Sequence, residues 1–86
     1  MIVLFFGSST CEKCDGLYNL IKKKEIDKKA TLFKYIDAFD DNQQEFCDEH
    51  EVDELPHLKV YKNSKLIYNG YGIKPMLDIE KIVKLM

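Results

Sequence analysis

Three cysteines, two prolines, four glycines and no long hydrophobic run are what this sequence has least of, and each scarcity removes a class of protein. An odd number of cysteines at low density does not make the disulfide framework of a small secreted protein. Cys11, Cys14 and Cys47 are therefore expected in a reducing, cytoplasmic setting, where a close cysteine pair is more often catalytic or metal-binding than structural. The apolar opening "MIVLFF" lacks a basic leader and ends at Gly7, too short for a signal segment or a membrane span. With no Gly/Ser-rich or Pro-rich linker, no repeat and no low-complexity stretch in 86 residues, residues 1–86 are expected to form one domain. Charge of one sign is also missing. The net charge is −2, and the run "KKKEIDKK" at 22–29 is broken by Glu25 and Asp27, so it reads as a solvated helix end. Neither nucleic acid nor a membrane is an expected partner.

What remains is an ordinary globular balance, 45% hydrophobic and 33% charged, with enough Leu, Ile, Val and Phe to fold without help. The run "IVLFF" at 2–6 reads as a central strand buried on both faces. "GSST" offers turn and capping residues, and the spacing of Cys14, Leu17, Tyr18 and Ile21 predicts a helix over about 11–24. Residues 31–37 read as a second strand, parallel to the first through a right-handed crossover. A second helix is expected at about 41–50, capped by Asp40 or Asp41, with Phe46 and Cys47 on its apolar side. "HLKVY" and "KLIYN", separated by "KNS", predict an antiparallel hairpin. Pro75 suits the first turn of a last helix whose stripe is Met76, Ile79, Ile82, Val83 and Met86. The expected order is βαβαββα, an α/β domain with a four-stranded mixed sheet and three helices.

The motif that carries chemistry is "CEKC" at 11–14. Two cysteines at i and i+3 on a helix share a face and can close a disulfide. Cys11 falls in the first helical turn after a buried strand, so unpaired N–H groups and the helix dipole point at its sulfur. That favours thiolate and lowers the thiol pKa below about 8.5. Glu12 and Asp15 oppose the shift while Lys13 supports it, so a moderate depression is expected. Cys11 is thus the expected nucleophile. Cys14, one turn in and on the buried side, is the expected resolving thiol, which attacks a mixed disulfide on Cys11 and releases the reduced partner. A zinc site is the competing arrangement, because Cys47 and His50 stand at C-x2-H spacing and complete a Cys3His set. The long gap from Cys14 to Cys47 and a core that needs no metal argue against it. Taken singly, Cys47 reads as a small buried hydrophobe.

Beyond the cysteines, the chain resembles a minimal thioredoxin-fold redox protein of the thioredoxin/glutaredoxin-like family. Strand, "CEKC", helix, strand and helix carry the first half of the likeness, and "EVDELPHLKVYKNSKLIYNGYG" at 51–72 carries the second. The likeness runs through the whole chain and starts at what is the third element of a full thioredoxin, a shortened plan shared with glutaredoxins. It implies that Pro56 is a cis-proline facing the dithiol and that Leu55 offers backbone groups to a substrate chain. Thr10 and Tyr71 flank that groove by the same resemblance. Thr10 stands where a Trp usually precedes the first cysteine, and Phe5 stands where a buried Asp usually assists the second. Asp37 is the candidate substitute for that acid, and His57, directly after Pro56, is a candidate for tuning the dithiol. The places that grip glutathione in glutaredoxins hold Ser8, Lys13, Glu54-Leu55-Pro56 and Gly70-Tyr71-Gly72-Ile73, so most of that grip is absent.

The resemblance implies a protein disulfide oxidoreductase with no bound cofactor and no metal, serving electron transport and cell redox homeostasis, and a monomer is the default expectation. Its partners would be protein disulfides and an electron donor, either a flavoenzyme like thioredoxin reductase or glutathione. The alternatives are a glutathione-linked glutaredoxin and, from another class, a non-catalytic zinc-binding or protein-interaction module.

Overall fold

The computed structural model describes residues 1–86. The apolar opening forms β1 (Ile2–Gly7), at the middle of a four-stranded sheet of order β2-β1-β3-β4 with β2 (Leu32–Asp37), β3 (His57–Lys62) and β4 (Lys65–Tyr71). β1 runs parallel to β2 and antiparallel to β3, and β3 runs antiparallel to β4. Side chains alternate across a strand, so β1 feeds two cores at once. Val3 and Phe5 enter a cluster with Cys14, Leu17, Ile21, Leu58, Val60 and Ile82, whereas Leu4 and Phe6 enter a smaller one with Ile36 and Cys47.

The larger cluster is covered by α1 (Glu12–Lys23), whose buried stripe is Cys14, Leu17 and Ile21. The smaller one is covered by α3 (Gln44–Glu49). A 3-10 turn at Asp41–Gln43 leads into α3, and the Asp40 carboxylate accepts from the Asn42 N–H at 3.0 Å as its cap.

The structure has five helices instead of the three that sequence periodicity predicts. After α1 ends at Lys24, Glu25 takes a left-handed conformation (φ 58°), and a one-turn helix, α2 (Ile26–Lys29), sets Ile26 into the core. The last helix is divided into α4 (Lys74–Leu77) and α5 (Ile79–Leu85) at Asp78. The carboxylate of Asp78 is held by the Tyr68 hydroxyl at 2.9 Å and the Lys74 ammonium at 2.8 Å. The predicted stripe nevertheless faces the sheet, with Ile79 and Ile82 buried and Met76, Val83 and Met86 packed at the margin. The hairpin turn is one residue shorter than predicted, because Lys62 pairs with Lys65 and only Asn63 and Ser64, both at positive φ, make the reversal. No helix is long and apolar enough to cross a membrane.

Candidate active site around the dithiol

The turn from β1 into α1 is organised by Ser8, which is almost fully buried. Its Oγ accepts from the Thr10 N–H at 3.2 Å and pairs with the Thr10 hydroxyl at 3.0 Å, while its carbonyl accepts from the Cys11 N–H at 3.3 Å. Cys11 thereby arrives in extended conformation as the N-cap of α1, and its Sγ accepts from the Cys14 N–H at 3.1 Å. Cysteine here takes the capping role that Ser, Thr, Asp and Asn usually fill. The two cysteines are joined as a disulfide, with their Cα atoms 5.1 Å apart. They differ sharply in access. Cys11 is partly exposed, whereas Cys14 is 1% exposed inside the larger cluster.

Phe5 lies fully buried in that cluster, edge-on to Tyr18 and stacked with Tyr35 at 5.2 Å between ring centroids. A small cavity of about 300 Å³ beside Cys14 is lined by Asp15, Tyr18 and Tyr35. Burial, reinforced by the negative charges of Asp37 and Asp15, raises the Tyr35 phenol above its ordinary range. Asp37 itself is engaged in the turn after β2, where its Oδ1 accepts from the Phe39 N–H at 2.9 Å.

Leu55 packs against both apolar clusters, and the Leu55–Pro56 peptide is cis. The carbonyl of Pro56 accepts from the Gly72 N–H at 2.8 Å, which fastens the Pro56 segment to the end of β4. Gly72 has φ +68°, and a Cβ there would collide with the Glu54 carboxylate, so the close approach needs glycine. Tyr71 is half exposed beside it.

His57 is turned to the α3 face. The residue is 5% exposed, and its ring sits 5.9 Å from Phe6 and 5.5 Å from Tyr71 between ring centroids. Phe6 belongs to the smaller cluster, so the imidazole lies across the sheet from the cluster that holds Cys14. Its Nε2 pairs with Asn69 Oδ1 at 2.6 Å, and its pKa is lowered by burial, which the Asn69 hydrogen bond partly offsets. Sequence reasoning passed over Ser8 as an organiser of the loop, and over Asn69 and Lys59, the partners of the two histidines. A polar residue at an inward position of an apolar strand was the available signal for Lys59. The same two-sided sheet separates the four residues of the zinc alternative: Cys14 lies in one cluster and Cys47 in the other. No three His, Cys, Asp or Glu side chains converge as a metal site.

No family model matches the chain. Among solved structures, thioredoxin O1 of Arabidopsis thaliana, in its oxidized state, superposes with a TM-score of 0.81 at 15% identity over 99% of this chain and 76% of that one. Mitochondrial thioredoxin 3 of Saccharomyces cerevisiae superposes at 0.76 with 24% identity over 99% and 77%. Thioredoxin 1 of Thermosipho africanus superposes at 0.71 with 15% identity over 99% and 97%. The chain has the thioredoxin fold.

Within the thioredoxin fold the Cys-x-x-Cys pair stands where β1 meets α1, with the cis Leu55–Pro56 peptide just before β3. Among curated proteins the chain is similar to an adenylate kinase of Ureaplasma urealyticum serovar 10, 30% identical in an alignment 79 residues long that covers 85% of this chain. The chain spans only 37% of that relative's length. Its four glycines stand at 7, 16, 70 and 72, and none opens the G-x-x-x-x-G-K-[ST] loop that cradles nucleotide phosphates.

Proposed function

We propose that the protein is a thiol–disulfide oxidoreductase that reduces protein disulfides by exchange through Cys11 and Cys14. The observation that carries this reading is the asymmetry of the pair: Cys11, a partly exposed residue, caps α1, and Cys14 lies sealed one turn below it. Backbone N–H groups at a helix start favour the thiolate. In the reaction the Cys11 thiolate attacks a substrate sulfur, the substrate S–S bond breaks, and one substrate thiolate leaves. Cys14 then loses its proton and attacks Cys11 Sγ. The second substrate thiolate departs as the Cys11–Cys14 disulfide closes, so two electrons have passed to the substrate.

Leu55 and Pro56 form the wall against which a substrate backbone lies, with Thr10 and Tyr71 at its margins. Phe5 supplies no proton acceptor for Cys14, so deprotonation of that thiol relies on groups reached through the cavity beside it. The protein works as a monomeric single domain in the cytoplasm, without a cofactor of its own. Its oxidised form is re-reduced by a flavoenzyme of the thioredoxin-reductase kind or by glutathione.

The test is the reduction potential of the pair, measured by equilibrating the protein in graded redox buffers, trapping thiols and counting them by mass. A value of about −230 to −270 mV is expected of a reductant of this kind. The Cys14→Ser variant should accumulate a mixed disulfide on Cys11 when given an oxidised protein substrate. Failure to form the intramolecular disulfide at any poise, or absence of the trapped adduct, overturns the proposal. Turnover with glutathione against turnover with a thioredoxin reductase then assigns the electron donor.

A further inference from the structure

Before Cys14 can attack Cys11 its thiol must shed a proton, and it lies 1% exposed in an apolar cluster with Phe5, Leu17, Ile21 and Leu58. The break in that packing is the cavity of about 300 Å³ between α1 and β2, whose wall is made by Cys14, Asp15, Tyr18 and Tyr35. Two of the three residues that share the cavity with Cys14 are phenols, which keep their protons at neutral pH. Burial, with the charges of Asp37 and Asp15, pushes the Tyr35 phenol further in that direction. Among the groups in this wall, the Asp15 carboxylate is the one able to take a proton.

It is also free to do so. The three ion pairs of the molecule, Lys22–Asp27, Lys24–Glu80 and Lys74–Asp78, leave it out. Lys22, whose ammonium lies over the Tyr18 ring at 5.4 Å, is held by Asp27 at 2.8 Å. Asp37 bonds the Phe39 N–H and takes no part in the cavity wall. Asp15 is exposed on its outer side, so a proton taken from the cavity can pass on to solvent. A cavity of this size with polar partners in its wall has room for bridging water.

We propose that Asp15 is the proton acceptor for Cys14, reached through water in this cavity. The inference rests on the redox reading above and assigns a step which that reading leaves open. The Cys14 proton passes through the water to the Asp15 carboxylate as the sulfur's electron pair forms the bond to Cys11 Sγ. The bond between Cys11 and the substrate sulfur breaks, and the substrate leaves as thiolate. The neutral Asp15 carboxyl then returns its proton to solvent. This role runs against the charge of the residue: a carboxylate beside a thiol disfavours the thiolate, so an Asp15 that acted by charge alone would slow closure, and its removal would speed it. A base has the opposite sign.

The experiment mixes reduced protein, in excess, with a symmetric nitroaryl disulfide whose released thiolate is coloured, and follows the colour by stopped flow. The first release reports attack by Cys11, and the second reports closure by Cys14. At about pH 7, Asp15→Asn should give the first release at least as fast as the wild type and the second about a hundredfold more slowly, the low end for loss of a positioned base. That deficit should shrink toward about pH 9.5, where hydroxide takes the thiol proton unaided, and Asp15→Glu should regain most of it. Glu12→Gln, which removes a carboxylate of the same turn that lies outside the cavity wall, should leave the second release unslowed. A second release that is unchanged or faster in Asp15→Asn, a deficit that stays the same as pH rises, no recovery in Asp15→Glu, or equal slowing in Glu12→Gln overturns the inference and leaves the redox reading intact. If the wild-type protein releases only one thiolate from each reagent molecule, the redox reading fails and this inference fails with it.

Discussion

Cys11 has two duties that substitution can separate. Its sulfur is the proposed nucleophile and also the side-chain cap of α1, accepting from the Cys14 N–H. Cys11→Ser keeps an acceptor at the cap and Cys11→Ala removes it, so both should abolish disulfide exchange, while against the reduced wild-type protein only alanine loses about 1 kcal/mol of stability. Urea unfolding of the two variants checks this. The histidines set a second expectation. His50 and His57 both have folded pKa values below the usual 6.5 because burial penalises the charged ring. The unfolded chain therefore binds protons more readily, and stability present above about pH 6.5 is lost as pH falls through the lower folded values. The urea midpoint should drop between pH 7.5 and pH 5.5, and His57→Gln should flatten that drop. Both duties differ in how readable they were. The start of the helix follows from a serine-rich turn before an amphipathic run, but the cap falls on Cys11 and not within "GSST" as expected, and the direction of His57 depends on which face of β3 it takes, which its neighbour Pro56 leaves open.

Elements were legible where one period dominates. β1 is a run of apolar residues with nowhere to go except a sheet covered on both faces, and α1 repeats Cys14, Leu17 and Ile21 at helical spacing. The breaks were not legible, because each is fixed by a partner far off in sequence. The division between α4 and α5 falls at Asp78, whose carboxylate takes the hydroxyl of Tyr68 on β4. Burial and the hydrogen bond to Asp78 raise the Tyr68 phenol well above its ordinary range. Tyr68→Phe should cost about 1 kcal/mol, the net worth of one such hydrogen bond, and loosen α4 and α5 from the sheet. Hydrogen exchange over residues 74–85 measures that loosening directly. The same kind of distant cause explains α2, since Ile26 is fully buried only after Glu25 has turned the chain.

At the scale of the whole molecule, the Cα radius of gyration is 11.9 Å, close to the roughly 12 Å of a compact domain of this length. Secondary structure by circular dichroism and tyrosine fluorescence should therefore be lost in one coincident transition, and sedimentation should report a species of 10.1 kDa. Separate transitions would disprove a single domain, and a heavier species would disprove the monomer. The fold class and the central place of β1 were readable because two parallel strands joined by a helix and followed by a hairpin leave few topologies open, and the full order β2-β1-β3-β4 came with the structure. The cavity lined by His50, His57, Lys59, Asn69 and Tyr71 was not, since it needs the register that sets Asn69 and Tyr71 of β4 beside β3.

Phe5 and Phe6 are neighbours on one strand and face opposite ways. A substitution beneath α3 therefore meets the packing about the sulfurs only through the sheet, and one beneath α1 meets the Phe6 cluster in the same indirect way. The two cores are separated by a wall one backbone thick, with the disulfide on one side of it and the His57 imidazole on the other.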